Sequence, residues 1–329
     1  MASFKDIIGQ KQIKNHLQTA ISQNSISHAY IFCGENGSGR KTLADTFAQT
    51  LQCENYEEHN DSCGHCKSCM QCVSHNHPDI KYITHEKASI SVDDIREQLN
   101  NDIGIKPYSS KYKIYIIPDA NKMTEQAQNA LLKTIEEPPA YAVIILLTDN
   151  LASLLPTIQS RCINLNLKPL SNTEIAEHLT TKLKLEPERA QIAAGFCQGN
   201  IGKAIRFASS EDFLEMKSLV LRLLKNIDEM TVADVAAYIK DLSHYKSSIN
   251  DYLDLMLLWY RDVLMFKVTK DANLILYSDE YNAISKQASR HGYPQIEKII
   301  ESIDKTKLRL NANVNFDVAV ELLALTLKD

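Results

Sequence analysis

The chain has 329 residues, 44% of them hydrophobic and 23% charged, which suits a soluble globular protein of two or three domains. A formal net charge of −5 excludes a global basic field that would draw it to nucleic acid, so any such contact is local or made through a complex. No apolar run is long enough to cross a bilayer and "MASFKDIIGQ" has no signal-peptide core, so a cytoplasmic location is expected.

In chain order, "HAYIFC" reads as a first buried strand. "SVDDIREQLN" reads as a helix capped by Ser91, with Asp94 completing a capping box. "KYKIYIIPDA" and "YAVIILLTD" are two further buried strands, of the kind found in a parallel sheet covered by helices. Between them lies the helix "TEQAQNALLKTIEEPP", capped by Thr124, with Ala127, Ala130, Leu131, Thr134 and Ile135 on one face and Pro138 and Pro139 as its stop. A helix opened by Pro156 then leads into strand-like "CINLNL". From about residue 168 the strand signals end and short helices follow; from about 210 the helices are long and amphipathic. In the longest of these, Leu255, Leu258, Trp259 and Val263 share a face and are expected in a core.

The stretch "CGENGSGRKT", residues 33–42, follows the first strand and precedes a helix, the setting of a phosphate-binding P-loop. Gly34 and Gly39 keep the required separation, with Gly37 between them, but Arg40 stands in the lysine position and Lys41 in the hydroxyl position. A working loop needs a compact ammonium on the β- and γ-phosphates and an oxygen on magnesium. The planar fork of Arg40 does not replace the first, and Lys41 cannot supply the second. A loop lengthened by one residue, with Lys41 and Thr42 as the pair, is the one escape. The second strand supplies Asp119 for a metal ion but follows it with Ala120, where a carboxylate general base would stand. Loss of ATP binding is the expectation.

Of eight cysteines, Cys53, Cys63, Cys66 and Cys69 form Cys-x9-Cys-x2-Cys-x2-Cys. Four thiolates at that spacing match a closed structural zinc site rather than a catalytic one. Cys72 is a spare at the same interval that could compete for a place; His65, His75 and His77 are taken as loop residues.

These pieces together resemble the AAA+ clamp-loader family of bacterial DNA polymerase III. "FKDIIGQKQIKNHLQTAI", "SHAYIFCGENGSGRKT", the four-cysteine knuckle, "NHPDI", "NALLKTIEEPP" and "PTIQSRC" carry the resemblance, which covers residues 1 to about 205 by motif. It implies a RecA-like AAA+ domain over 1–166 with a zinc-knuckle insertion at about 53–72, a small helical lid domain over 167–208, and a helical collar domain over 209–329. The family's ATPase subunits, tau or gamma, carry an intact P-loop, an Asp-Glu pair and a sensor arginine. This chain has Arg40-Lys41, Asp119-Ala120 and Gly202 at those places, so it is similar to the family's non-hydrolysing, stator-like member. Thr148 matches the sensor-1 position and is expected to be structural. The resemblance further implies that Arg161, in Ser160-Arg161-Cys162, reaches a neighbouring ATPase subunit as an arginine finger. The implied partners are the tau/gamma ATPase and delta subunits and, through the complex, the sliding clamp and primer-template DNA. Two other readings stand beside this one: an ATP-hydrolysing family member using the slipped Lys41-Thr42 loop, and a zinc-dependent nucleic-acid-binding module built on residues 50–75.

Overall fold

A computed structural model of the chain describes residues 3–56, 61–209, 212–227, 229–312 and 314–328; residues 57–60 of the expected knuckle lie outside that set. The chain divides into two compact units, residues 1–205 and 206–329.

The first unit contains, in order, α1 (Lys11–Ser22), β1 (Ala29–Cys33), α2 (Arg40–Gln52), α3 (Lys67–Val73), β2 (Ile80–Tyr82), α4 (Val92–Ile95), β3 (Lys113–Ile117), α5 (Glu125–Glu136), β4 (Ala142–Thr148), α6 (Pro156–Gln159), β5 (Ile163–Asn166), α7 (Asn172–Leu183), α8 (Pro187–Phe196) and α9 (Ile201–Ser209). Among the described residues five strands form one sheet in the order β2-β3-β4-β1-β5, with every neighbouring pair parallel. Because strand side chains alternate, each buried strand feeds two cores. On one face Ile31, Tyr115, Ile117, Ile144 and Leu146 pack with Ala127, Leu131 and Ile135 of α5. On the other, Tyr30, Phe32, Ile116 and Ile145 pack with Leu17 of α1 and Leu43 and Phe47 of α2.

The architecture is the expected α/β one, a parallel sheet covered by helices and followed by a helical region. The three buried strands and "CINLNL" are all in the sheet. β2 carried no strand signal, because it is a three-residue, half-buried edge strand with no alternation to read. The caps match expectation. The Ser91 hydroxyl accepts the Asp94 N–H while the Asp94 carboxylate accepts the Ser91 N–H at 2.8 Å, and Thr124 accepts the Ala127 N–H. The helix begun at Ser91 then widens into a π turn over Arg96–Asn100.

β1 pairs with β4 on one side and β5 on the other. The chain therefore crosses over to both sides of it, and the crevice at its C-terminal end is where α/β sheets bind ligands. "CGENGSGRKT" leaves β1 at that end.

The second unit is helical: α10 (Asp212–Asn226), α11 (Val232–Leu242), α12 (Ile249–Thr269), α13 (Tyr281–Arg290), α14 (Tyr293–Asn311) and α15 (Phe316–Lys328). Leu255, Leu258, Trp259 and Val263 of α12 are all buried, as expected. Periodicity did not reveal the buried polar groups that lock this core. The Trp259 indole N–H donates to Gln287 Oε1 at 2.7 Å, and Gln287 Nε2 donates to the Leu224 carbonyl at 2.7 Å. Asp262, fully buried, accepts the N–H groups of Leu276 and Tyr277 at 2.7 and 2.9 Å. Satisfied networks of this kind fix one packing arrangement, since each unpaired member would be costly.

Candidate functional site

The loop after β1 keeps the backbone of a phosphate cradle. Gly34 N–H donates to the Thr148 carbonyl at 3.1 Å, which ties the loop to the end of β4. Gly37 and Gly39 take φ of +88° and +94°, a left-handed backbone that side chains disfavour, and Gly39 is the N-cap of α2. The space over the crest of the loop is filled by the start of α9. Gly202 N–H donates to the Gly37 carbonyl at 2.9 Å. A Cβ at Gly202 would lie 2.8 Å from Gly37 Cα and 2.9 Å from its carbonyl oxygen, so only glycine permits this approach. Asn200, buried, works in both directions. Its Oδ1 accepts the Lys203 N–H at 3.1 Å, capping α9, and its Nδ2 donates to the Asn36 carbonyl at 2.8 Å. Gly202→Val is expected to force α9 and the loop apart at an overpacking cost of about 1–3 kcal/mol. The loss should be read as a lower urea midpoint; an unchanged midpoint would mean that the contact contributes nothing.

Arg40 is 9% exposed and lies under the loop, with Nη2 donating to Asn36 Oδ1 at 3.3 Å and Nη1 left without a partner. Burial pulls its pKa below the usual range, opposed by the charges of Asp149, Cys33 and Asp119. Lys41 points elsewhere: it is exposed, and its ammonium sits 5.8 Å from the centre of the Tyr82 ring. Thr42 is exposed on the first turn of α2. Asp119, past the end of β3, is engaged by Lys122 at 3.3 Å and His85 at 3.4 Å. The Thr148 hydroxyl is held in its own turn, donating to the Asn150 carbonyl at 2.8 Å and accepting the Asn150 N–H at 3.1 Å.

Arg161 lies between α6 and β5, on the rim of the first unit. Its Nη2 meets Glu136 Oε1 at 3.0 Å and its Nη1 donates to the Thr157 carbonyl at 3.0 Å.

Cys53, Cys63, Cys66 and Cys69 come together as their spacing required. Their sulfurs all lie within 4.8 Å of one another. Cys53 ends α2, and Cys66 caps α3. Backbone N–H groups point at the sulfurs: Cys63 N–H to Cys53 Sγ at 3.3 Å, Cys66 N–H to Cys63 Sγ and Cys69 N–H to Cys66 Sγ at 3.4 Å. N–H donors aimed at sulfur favour the thiolate. Burial raises the thiol of Cys63, but the His65 and Cys66 N–H groups more than offset it, to about 6. At Cys53 and Cys69 burial dominates and pushes the thiols up. Four clustered sulfurs, three of them buried, could hold a metal ion. Cys72 is not in the cluster, and burial pushes its thiol up to about 12.

Several contacts at these sites gave no warning in the sequence. His77 is buried, with Nδ1 accepting the Asp79 N–H at 3.1 Å and Nε2 facing the hydroxyls of Ser68 and Ser110 at 3.1 and 3.3 Å. Asp79 accepts N–H groups from Tyr108, Ser109 and Ser110 at 2.5, 2.9 and 3.0 Å. Together they pin α3, and with it the cysteine knuckle, to the loop before β3. Glu136 was visible only as a helix end. Asn200 had a usable signal, an Asn ahead of a helical run, which is an N-cap pattern.

Comparison with known proteins bears on the whole assembly. Residues 9–171 match the family described as "DNA polymerase III, delta subunit". The DNA polymerase III subunit delta' of Bacillus subtilis is 29% identical over 324 residues, which span 97% of this chain and 96% of that one. The chain is thus similar over nearly its whole length to a subunit of DNA polymerase III. Subunit tau of the same organism is 26% identical over 96% of this chain, which spans 60% of tau's length. Among solved structures, a gamma subunit-related protein from Thermotoga maritima aligns over 95% of this chain and 98% of its own, at 19% identity and a TM-score of 0.46. The likeness thus extends both to a subunit of this chain's own length and to the longer subunit tau.

Proposed function

We propose that this clamp-loader subunit fills the delta-prime role. It is a non-hydrolysing stator that assembles in the cytoplasm with tau/gamma ATPase and delta subunits and helps place the sliding clamp on primed DNA. The observation that carries this reading is the backbone contact between Gly202 and Gly37. A sensor arginine at position 202 would need a Cβ where the loop already stands. The loop is then retained as a packing surface for α9, and the substituted loop positions and the missing carboxylate at Ala120 point the same way. Arg40 is buried against Asn36, Asp119 is occupied by Lys122 and His85, and Lys41 rests on Tyr82. These placements also weigh against the slipped Lys41-Thr42 loop.

The contribution of this chain to phosphate chemistry is then made in trans. Arg161 presents its guanidinium at the nucleotide held by an adjacent ATPase subunit, where it stabilises charge on the transferred phosphoryl group. The four cysteines hold zinc, which when bound cross-links the end of α2 to α3 and does no chemistry.

Titration of the isolated chain with ATP and magnesium tests the non-hydrolysing role. Neither binding in the micromolar range nor turnover is expected. Micromolar, magnesium-dependent binding accompanied by hydrolysis would replace this reading with that of a working ATPase subunit.

A further inference from the structure

A long arginine side chain at a surface samples many rotamers, and a group that must meet a phosphoryl oxygen on another subunit loses efficiency for each one it has to abandon. Arg161 is not left to sample them. Its side chain is 40% exposed, yet two of its nitrogens are held from two different helices. Nη2 lies 3.0 Å from Glu136 Oε1, on the last residue of α5, and Nη1 donates at 3.0 Å to the Thr157 carbonyl on α6.

Both holding groups are themselves fixed. Glu136 directly follows Ile135, and Thr157 directly precedes Ile158; both isoleucines are buried in the same core under the sheet. The approach to α6 is fastened to α5 as well. Gln128 of α5, buried, accepts the Leu155 N–H at 2.8 Å and donates to the Ser153 carbonyl at 3.0 Å. The backbone positions that carry the carboxylate and the carbonyl therefore cannot drift apart without disturbing a packed core. A guanidinium carries more N–H donors than these two contacts use, and the partial exposure of Arg161 leaves the others open to solvent.

We propose that Glu136 is the positioning residue for Arg161: its carboxylate sets the direction in which the free edge of the guanidinium faces the polyphosphate of a neighbouring subunit. This inference rests on the reading of Arg161 as a trans finger. Glu136 touches no substrate in this arrangement and acts only through the arginine. Its carboxylate also offsets the arginine's charge until a more highly charged polyphosphate competes for the same fork.

The test uses the reconstituted complex of this chain with its ATPase and delta partners, and follows clamp- and DNA-stimulated ATP hydrolysis at the one site that Arg161 faces, resolved by single-turnover kinetics. An exposed ion pair supports a modest effect, so Glu136→Ala is expected to lower kcat by up to about fivefold, with KM for ATP and complex assembly unchanged. Glu136→Gln, which keeps the shape and one acceptor oxygen, should fall between Ala and wild type, and it carries the same test should the alanine variant fold poorly. In an Arg161→Ala background neither change should have a further effect, because the group it orients is gone. If Glu136→Ala lowers turnover equally in both backgrounds, Glu136 has a structural role only and the proposal is wrong. It is also wrong if Arg161→Ala abolishes stimulated turnover while both Glu136 variants match wild type. An Arg161→Ala complex with full activity would instead remove the finger reading on which the proposal rests.

Discussion

Arg161→Ala is expected to leave the complex assembled and to slow ATP hydrolysis at the one site it faces by about a thousandfold, the lower end for an arginine finger. The size follows from where the charge acts. A guanidinium beside the transferred phosphoryl group, in a site closed to water by two subunits, works at low effective dielectric, so a thousandfold is about 4 kcal/mol of transition-state stabilisation. The same arginine does almost nothing for the fold. Its ion pair with Glu136 is half-exposed, and pairs of that kind contribute about 0.2–1 kcal/mol. Stability and turnover should therefore separate cleanly: a melting temperature close to wild type beside a large loss of turnover. Arg161→Lys keeps the charge without the fork and should recover only part of the rate. Because only the facing site loses its finger, single-turnover hydrolysis resolves the effect better than steady-state rates averaged over the ring. Unchanged single-turnover kinetics would sink the trans role of Arg161.

What could be read from the sequence differs by the kind of signal. The central strands were legible because their side chains are buried on both faces, leaving short runs such as "AVIILLT". Ser91 and Thr124 announced helix starts because capping needs particular atoms at fixed offsets. The cysteine site was legible for the same reason, since a structural zinc site draws its four donors from Cys and His at short, fixed spacings. The edge strand β2 was not legible, because its pairing depends on β3, far along the chain, and not on its own pattern.

The phosphate loop was legible in part. Its substitutions at Arg40 and Lys41 stand in the sequence, but the contact that covers the loop is made by Gly202, a residue 165 positions from Gly37. No local rule relates two glycines at that distance; only the closure of α9 on the loop does. Glu136 was hidden in the same way. Its neighbours Glu137 and Pro138 mark a helix end, and nothing in "IEEPP" shows which glutamate meets an arginine on another helix. Buried polar residues such as Gln128, Asp79 and Gln287 were missed because periodicity counts apolar positions and is blind to a polar group satisfied inside a core.

Removing zinc should have the other large effect, and a local one. The purified chain is expected to carry one equivalent, measured by atomic absorption. Structural sites in zinc-finger peptides bind with an apparent free energy of about 10–16 kcal/mol, and where the fold near the site depends on the metal, that energy is folding energy. Cys53, Cys66 and Cys69 form their own small cluster with Tyr56 and Cys63, and Tyr56 also packs against one of the two cores that flank the sheet. Without metal this cluster keeps the His77 and Asp79 contacts that pin α3 to its neighbouring loop, the packing of Tyr56, and the Asp61 carboxylate that accepts the Phe4 and Lys5 N–H groups at 3.1 and 3.3 Å. A chelator, or Cys69→Ser, should therefore open the segment between the end of α2 and α3 to protease and to hydrogen exchange while the sheet persists, leaving far-UV circular dichroism nearly unchanged. Cys72→Ser is the matched control. Its thiol is outside the cluster, so zinc content and protection should stay at wild-type levels. Cooperative loss of the whole sheet on chelation would show instead that the knuckle is part of the main core. Protection that survives complete removal of the metal would show that the packing around His77 and Asp79 is enough to hold it.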